Sequence, residues 1–137
     1  MENQQNHSKG IHIALWAVQV LLAAILVWSG CIKLLQPIEK LSAMWPWAGQ
    51  VPAALVRLTG IIDLLAAVGL ILPSLLRIQP GLTPMAAIGI IALMLCASIF
   101  HIIRGEASAI GINIFFAVLA AFVAWGRLTR ARIKNGL

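Results

Sequence analysis

The amino-acid sequence predicts an all-α integral membrane protein, a four-helix bundle with little chain outside the bilayer. Three observations point to this class: 61% of the 137 residues are hydrophobic, 10% are charged, and the apolar residues are gathered into four long runs. Soluble domains carry about a quarter charged residues, so this chain has too little polar surface to cover a water-soluble fold. The net charge of +6 does not predict a nucleic-acid partner, because the basic residues lie at the ends of the apolar runs, where they set membrane orientation.

Each apolar run is long enough to cross the bilayer as a helix. About 20 helical residues span a hydrocarbon core of roughly 30 Å, and the runs do not alternate as the strands of a membrane barrel would. Prolines and glycines of turn type separate the runs. The predicted spans are residues 11–35, 52–73, 82–103 and 107–126.

The longest connection between spans, residues 36–51, follows the first of them. Pro37 is a suitable start for a short helix, and Ile38, Leu41 and Trp45 recur at helical spacing. This pattern is typical of an amphipathic segment lying in the membrane interface. An irregular loop anchored by its tryptophans is the alternative that the sequence leaves open.

With four spans, the polar residues 1–10 and the basic tail 127–137 lie on the same side of the membrane. Basic residues are more numerous on that side, so the positive-inside rule predicts a multi-pass protein of the cell inner (plasma) membrane with both termini in the cytoplasm. The basic residues on the side of the termini are Lys9, Arg77, Arg127, Arg130, Arg132 and Lys134, and those toward the other side are Lys33, Lys40, Arg57 and Arg104.

Polar residues within and beside the spans gather in the half of the bilayer remote from the termini. Asp63 is the only acid inside a predicted span, and at about 1.5 Å per residue it lies roughly 16 Å deep, near the midplane. Charges in hydrocarbon usually face a bundle interior or cavity, and Asp63 stays charged only beside Arg57 or a basic group from another helix. The candidate ligand-binding residues are Lys33, Arg57, Asp63, His101, Arg104, Glu106 and Asn113.

Small residues flank these polar positions on the same helix faces. Gly60 and Ala67 neighbour Asp63, and Ala97 and Ser98 lie one turn before His101. Small neighbours leave room for a ligand or water, which favours a polar pocket. The alternative is that they let helices approach closely around a purely structural network of charges.

No short motif in the sequence assigns a reaction. A phosphate-binding loop, a nucleophile elbow and a dinucleotide fingerprint are all missing from it, and His101 with Glu106 offers too few ligands to predict a metal site. Cys31 and Cys96 fall on different predicted helices. They are typical of small buried apolar residues, and a redox pair is the alternative.

Several short motifs together resemble those of the DoxX-like membrane proteins. Residues 30–34, Gly-Cys-Ile-Lys-Leu, are similar to the family's G-x-x-K-L near the end of its first helix. Residues 57–63, Arg-x-x-Gly-x-x-Asp, resemble its second-helix motif, which usually ends in Glu. Residues 83–87, Thr-Pro-Met-Ala-Ala, and 100–106, Phe-His-x-x-Arg-Gly-Glu, resemble its third helix and the exit from it. The resemblance covers about residues 12–128 and implies four transmembrane helices.

The resemblance leaves two function classes open. The family takes its name from a subunit associated with thiosulfate:quinone oxidoreductase, so one function is a membrane subunit of a quinone-linked oxidoreductase. Its quinone would exchange protons with His101 and Asp63, Arg57 would hold a carbonyl or a developing anion, and a redox partner protein would carry the electrons. The other is a non-enzymatic membrane helper that assists assembly of partner membrane proteins or binds a small lipid-soluble ligand. Asp63 in place of Glu leaves position-sensitive chemistry open.

Reporter fusions at positions 5, 48, 78 and 137 test the predicted topology. The excess of basic residues predicts a cytoplasmic signal from positions 5, 78 and 137 and an external signal from position 48. A cytoplasmic signal from position 48 would contradict the predicted orientation and the depth assigned to each polar residue.

Overall fold

The computed structural model describes the backbone of residues 2–106 and 110–133, and side chains from Lys9 onward within these ranges. All of its regular secondary structure there is helical. The elements are α1 (Glu2–Leu35), α2 (Ile38–Met44), a 3-10 turn (Pro46–Gly49), α3 (Ala53–Leu76), α4 (Leu82–Ile103), α5 (Ile110–Trp125) and a π-helical turn (Gly126–Arg130).

Four helical stretches are long and apolar enough to cross a membrane, which confirms the predicted four-helix membrane bundle. They are Lys9–Leu35, Ala53–Leu76, Leu82–Ile103 and Ile110–Arg130. The predicted start of the fourth span, residues 107–109, lies outside the described residues, as do residues 134–137 of the basic tail.

Two helices are longer than their predicted spans. The first begins at Glu2 rather than at residue 11, because the polar residues before the apolar run are compatible with a helix that continues beyond the bilayer. Helix α3, which contains the second predicted span, continues through Pro73 to Leu76. A proline inside a helix removes one backbone hydrogen bond, and membrane helices tolerate this where neighbouring helices pack around it. Pro73 is accordingly buried.

The helices form a ring in which α1 packs along α3, α3 against α4, α4 along α5, and α5 against α1. The core of the ring contains Leu22, Leu70, Ile90 and Val123. Large apolar side chains cover its outside; Ile103, for example, is 80% exposed. A surface of this kind is stable against lipid tails rather than water.

The segment between α1 and α3 folds against the start of α3. Leu41 of α2 and Ala48 of the 3-10 turn are fully buried with Val56 of α3. The helical interpretation is correct for residues 38–44, and the tighter turn follows at Pro46. We call this end of the bundle, which also carries residues 104–106, the α2 end, and the opposite end, with residues 77–81 and 126–133, the terminal end.

Two glycines bring α1 and α3 into backbone contact. A Cβ atom at Gly30 would lie 2.8 Å from the carbonyl oxygen of Gly60, and one at Gly60 would lie 2.9 Å from Cβ of Lys33. Both distances are too short for real carbon atoms. Small residues allow such close approach in membrane bundles, so the α1–α3 contact depends on glycine at both positions.

Replacement of Gly60 by alanine tests this contact. The added methyl group of Gly60→Ala overlaps Lys33, so we expect a loss of about 1–3 kcal/mol, as for other overpacked cores, measured as a lower melting temperature in detergent. Gly89→Ala on α4 is the matched control, because a Cβ atom there meets nothing within 4 Å. Equal melting temperatures for the two variants would contradict the close α1–α3 contact.

Candidate functional site

Asp63 is paired with α1 across the glycine contact. The residue is 3% exposed, and its Oδ2 atom lies 2.9 Å from Lys33 Nζ. The Ser29 hydroxyl donates a hydrogen bond to the same oxygen at 3.0 Å. Of the two expected partners for this carboxylate, the basic group from another helix is the one that reaches it. The pair spares the bundle an isolated charge in hydrocarbon, which is strongly unfavourable.

The lysine of this pair is covered by the segment between α1 and α3. Lys33 Nζ lies 5.7 Å from the ring centroid of Trp45 and 5.8 Å from that of Trp47, within the range of cation–π attraction. Trp45 in turn packs edge-to-face on Trp28 at 6.2 Å. The ammonium group is thus held between the carboxylate of Asp63 and two indole rings.

Arg57 serves the end of α1 and not Asp63. Its guanidinium group donates hydrogen bonds to the carbonyl oxygens of Lys33 and Gln36, the second of them at 2.8 Å. These carbonyls belong to the last turn of α1 and the residue after it, where backbone acceptors lack partners within the helix. A cation there also interacts favourably with the helix dipole. Arg57 therefore joins the start of α3 to the end of α1.

A second polar group follows the end of α4. Arg104 Nε donates to Glu106 Oε1 at 2.5 Å, and another nitrogen of Arg104 donates to the side-chain oxygen of Gln50. His101 Nδ1 lies 3.4 Å from Glu106 Oε2, without the alignment of a hydrogen bond. The hydrogen bond from Arg104 lowers the pKa of Glu106 below its ordinary value, against a smaller opposing effect of desolvation.

The sequence-predicted candidates thus fall into two groups and one separate residue. The first group lies on α1 and α3, the second at the end of α4, and the separate residue on α5. The members are Lys33, Arg57 and Asp63; His101, Arg104 and Glu106; and Asn113. Trp47 connects the two groups through Phe100: it lies against Lys33 and packs edge-to-face on Phe100 at 6.2 Å, and the Phe100 ring packs edge-to-face on His101 at 5.5 Å.

Two nitrogen atoms at the α2 end are buried without a hydrogen-bond partner in the described part of the chain. They are His101 Nδ1 and Asn113 Nδ2. His101 lies in the last turn of α4, and Asn113 lies in the first turn of the described α5, so both are within roughly one helical turn of the same end. Buried polar atoms in native proteins normally have partners, so Asn113 Nδ2 has unused capacity to donate a hydrogen bond, and His101 Nδ1 has only its ion-pair contact with Glu106.

A polar cluster at the terminal end was not predicted from the sequence. Arg127, expected in the solvated tail, is 3% exposed, and Gln19 is fully buried. Arg127 Nε donates to Gln19 Oε1 at 2.6 Å, and Gln19 Nε2 donates to the carbonyl of Leu70 at 2.6 Å. A second guanidinium nitrogen lies 2.9 Å from His12 Nδ1. The cluster joins α1, α3 and the residues after α5.

The π-helical turn places Arg127 in this cluster. Gly126 faces Leu15 so closely that a Cβ atom on it would lie 2.5 Å from that side chain. The chain therefore approaches α1 closely, and Arg127 enters the bundle instead of leaving it. The one signal in the sequence is Gln19, a lone amide in the longest apolar run.

The metal-ligating and thiol side chains do not form a metal site or a disulfide in the described ranges. Within residues 2–106 and 110–133, three or more His, Cys, Asp or Glu side chains do not come together as a metal site would require. Cys31 is half-buried, Cys96 is exposed, and neither forms a disulfide.

Comparison with known proteins agrees with the sequence motifs. The model of the DoxX-like family matches residues 17–123, well over half of the chain. No curated protein and no solved structure is significantly similar to the chain. The matched range includes the Gly30 and Gly60 contact, the Lys33–Asp63 pair and Arg57. The chain belongs to the DoxX-like family.

Proposed function

We propose that this protein is a non-enzymatic membrane helper that binds a small lipid-soluble ligand through the polar residues at the α2 end. One observation carries the proposal: Asn113 Nδ2 and His101 Nδ1 are buried and have no hydrogen-bond partner in the described residues, and His101 Nδ1 has only its 3.4 Å contact with Glu106 Oε2. A buried donor without an acceptor costs about 1–3 kcal/mol. A ligand that supplies the acceptor recovers that energy.

The chemistry of these atoms indicates the class of ligand. An amide nitrogen such as Nδ2 of Asn113 is only a donor, so its partner must be an oxygen acceptor, such as a carbonyl or hydroxyl. The surrounding helices are apolar, with Phe100 and Phe116 nearby in sequence on α4 and α5. The ligand of this proposal is therefore an apolar molecule with one or more exposed oxygen atoms that reaches the site from the lipid.

The other candidate residues support the ligand site without spare bonding capacity of their own. Asp63 is engaged by Lys33 and Ser29, and Arg57 by two backbone carbonyls. In this proposal they hold α1, α3 and the segment between them at fixed positions. Arg104 and Glu106 hold the end of α4 against Gln50 in the same way.

A quinone is one member of this ligand class, which connects the proposal to the alternative function. Quinone carbonyls accept hydrogen bonds from donors such as Asn113 and protonated His101. As a membrane subunit of a quinone-linked oxidoreductase, the protein would supply the binding site, and a redox partner would supply the electrons. A helper of membrane-protein assembly would instead contact a partner helix through the same end.

The location of the protein is part of the proposal. The apolar bundle surface contacts membrane lipid. The excess of basic residues on the side of the termini supports an inner (plasma) membrane protein with both termini in the cytoplasm. The ligand site would then lie in the outer half of the bilayer.

Mass spectrometry of molecules that co-purify with the protein tests this function. We expect an apolar, oxygen-bearing compound with the wild-type protein, and about tenfold less of it with Asn113→Leu, since one lost hydrogen bond in a buried site is equivalent to about that factor. Leucine removes the unpaired amide at similar volume, so the melting temperature should stay equal or rise.

Ser98→Ala is the control for this measurement. The Ser98 hydroxyl lies on α4 near the same end and already donates to the carbonyl of Met94 at 2.8 Å, so its removal should leave the ligand content unchanged. Equal ligand content in well-folded Asn113→Leu and wild-type protein would contradict the proposed site. A lower melting temperature for Asn113→Leu would show instead that the amide has a structural partner.

A further inference from the structure

A cleft with a volume of about 390 Å³ opens at the terminal end, far from the site proposed above. Arg77 and Arg132 line it, together with His12, Trp16 and Ser74. Arg77 follows directly after α3, and Arg132 follows the π-helical turn after α5. The cleft is therefore formed where three separate parts of the chain meet: the first turns of the α1 span, the end of α3 and the end of the last helix.

Positive charge is concentrated around this cleft. Behind its wall, the guanidinium group of Arg127 lies 2.9 Å from His12 Nδ1 and 5.6 Å from the ring centroid of Trp16. The NH2 nitrogen of Arg127 has no hydrogen-bond partner in the described part of the chain. Its other contacts are to a neutral amide, an imidazole and a backbone carbonyl, so the cluster contains no described carboxylate.

The acidic side chains that the structure describes, three of the four in the sequence, lie elsewhere. Glu39 and Glu106 belong to the α2 end, and Asp63 is paired with Lys33. The charge of Arg132 in the cleft, with the unpartnered nitrogen of Arg127 behind it, therefore favours an anionic ligand.

The composition of the cleft narrows the chemistry of that anion. Arginine forms paired hydrogen bonds with the oxygen atoms of phosphate, and Ser74 adds a hydroxyl group. Trp16 and the apolar side chain of Leu75 also line the cleft. Tryptophan is enriched at the level of lipid headgroups, and both residues belong to the membrane-spanning helices. The cleft thus combines polar and apolar contacts, the combination that a headgroup joined to acyl chains requires.

We propose that this cleft binds a phosphate-bearing anion, a chemistry that anionic lipid headgroups and free phosphate share. The position at the ends of membrane-spanning helices favours the lipid as its source. On the predicted orientation, the cleft faces the cytoplasmic leaflet, which carries the negative surface potential. Binding there would connect α1, α3 and the end of the last helix through one headgroup.

Native mass spectrometry of the detergent-solubilised full chain, titrated with phosphatidylglycerol or phosphatidylcholine, tests the site. We expect phosphatidylglycerol to bind more tightly than phosphatidylcholine. Arg132→Gln should weaken phosphatidylglycerol binding about fivefold, the effect of one basic residue near a headgroup. Arg132 is exposed, so the variant should fold. Arg132→Lys retains the charge but not the paired hydrogen bonds, so it should bind more tightly than Arg132→Gln and more weakly than the wild type.

Arg130→Gln is the matched control, because it removes one charge at the same end. Arg130 lies against Trp125 at 5.8 Å from the ring centroid and is not among the residues that line the cleft, so its loss should change the affinity less than twofold. Equal losses for Arg130→Gln and Arg132→Gln, or none for either, would overturn the proposal.

Titration with inorganic phosphate separates the two sources of the anion. If phosphatidylglycerol binding depends on Arg132 and millimolar inorganic phosphate does not displace it, the ligand is a lipid headgroup. If inorganic phosphate binds with the same dependence on Arg132 and phosphatidylglycerol does not compete, the ligand is free phosphate. Neither anion showing a dependence on Arg132 would overturn the site.

Discussion

The backbone contact between α1 and α3 at Gly30 and Gly60 determines the arrangement of the α2 end. With any side chain at either position the helices would move apart, and Lys33 Nζ would no longer lie 2.9 Å from Asp63. An unpaired carboxylate buried in the bundle, as Asp63 is, would either take up a proton or destabilise the bundle. The cap that Arg57 provides for α1 spans the same contact. Packing and charge pairing therefore depend on each other here.

Buried charged residues have different kinds of partners at the two ends of the bundle. At the α2 end, opposite charges are paired and two aromatic rings cover the lysine. At the terminal end, Arg127 is buried against neutral partners, and positive charge extends from it to the cleft. The α2 end therefore favours uncharged oxygen-bearing ligands, and the terminal end favours anions. The proposed ligand site at the α2 end and the proposed anion site at the terminal end share no residues.

Much of the fold followed from the sequence because hydrophobic length is a strong signal in a membrane protein. The four spans were predictable, whereas the sequence left two alternatives open both for the segment after Pro37 and for the partner of Asp63. Lys33 could not be chosen from the sequence, since its pairing with Asp63 follows from the close approach of α1 and α3, which hydrophobic length does not encode. Arg127 was assigned to the tail because a basic residue after an apolar run usually marks the membrane boundary, and a π-helical turn is not readable from sequence.

The coupling energy between Lys33 and Asp63 measures how far this charge pair holds α1 to α3. Unfolding free energies of the wild type, Lys33→Met, Asp63→Asn and the double variant, measured in one detergent, isolate the pair from the rest of the bundle. Each single variant should be strongly destabilised by the charge left behind. The two effects should be non-additive by about 1–3 kcal/mol. Additive effects, within about 0.3 kcal/mol, would show that the pair does not hold α1 to α3.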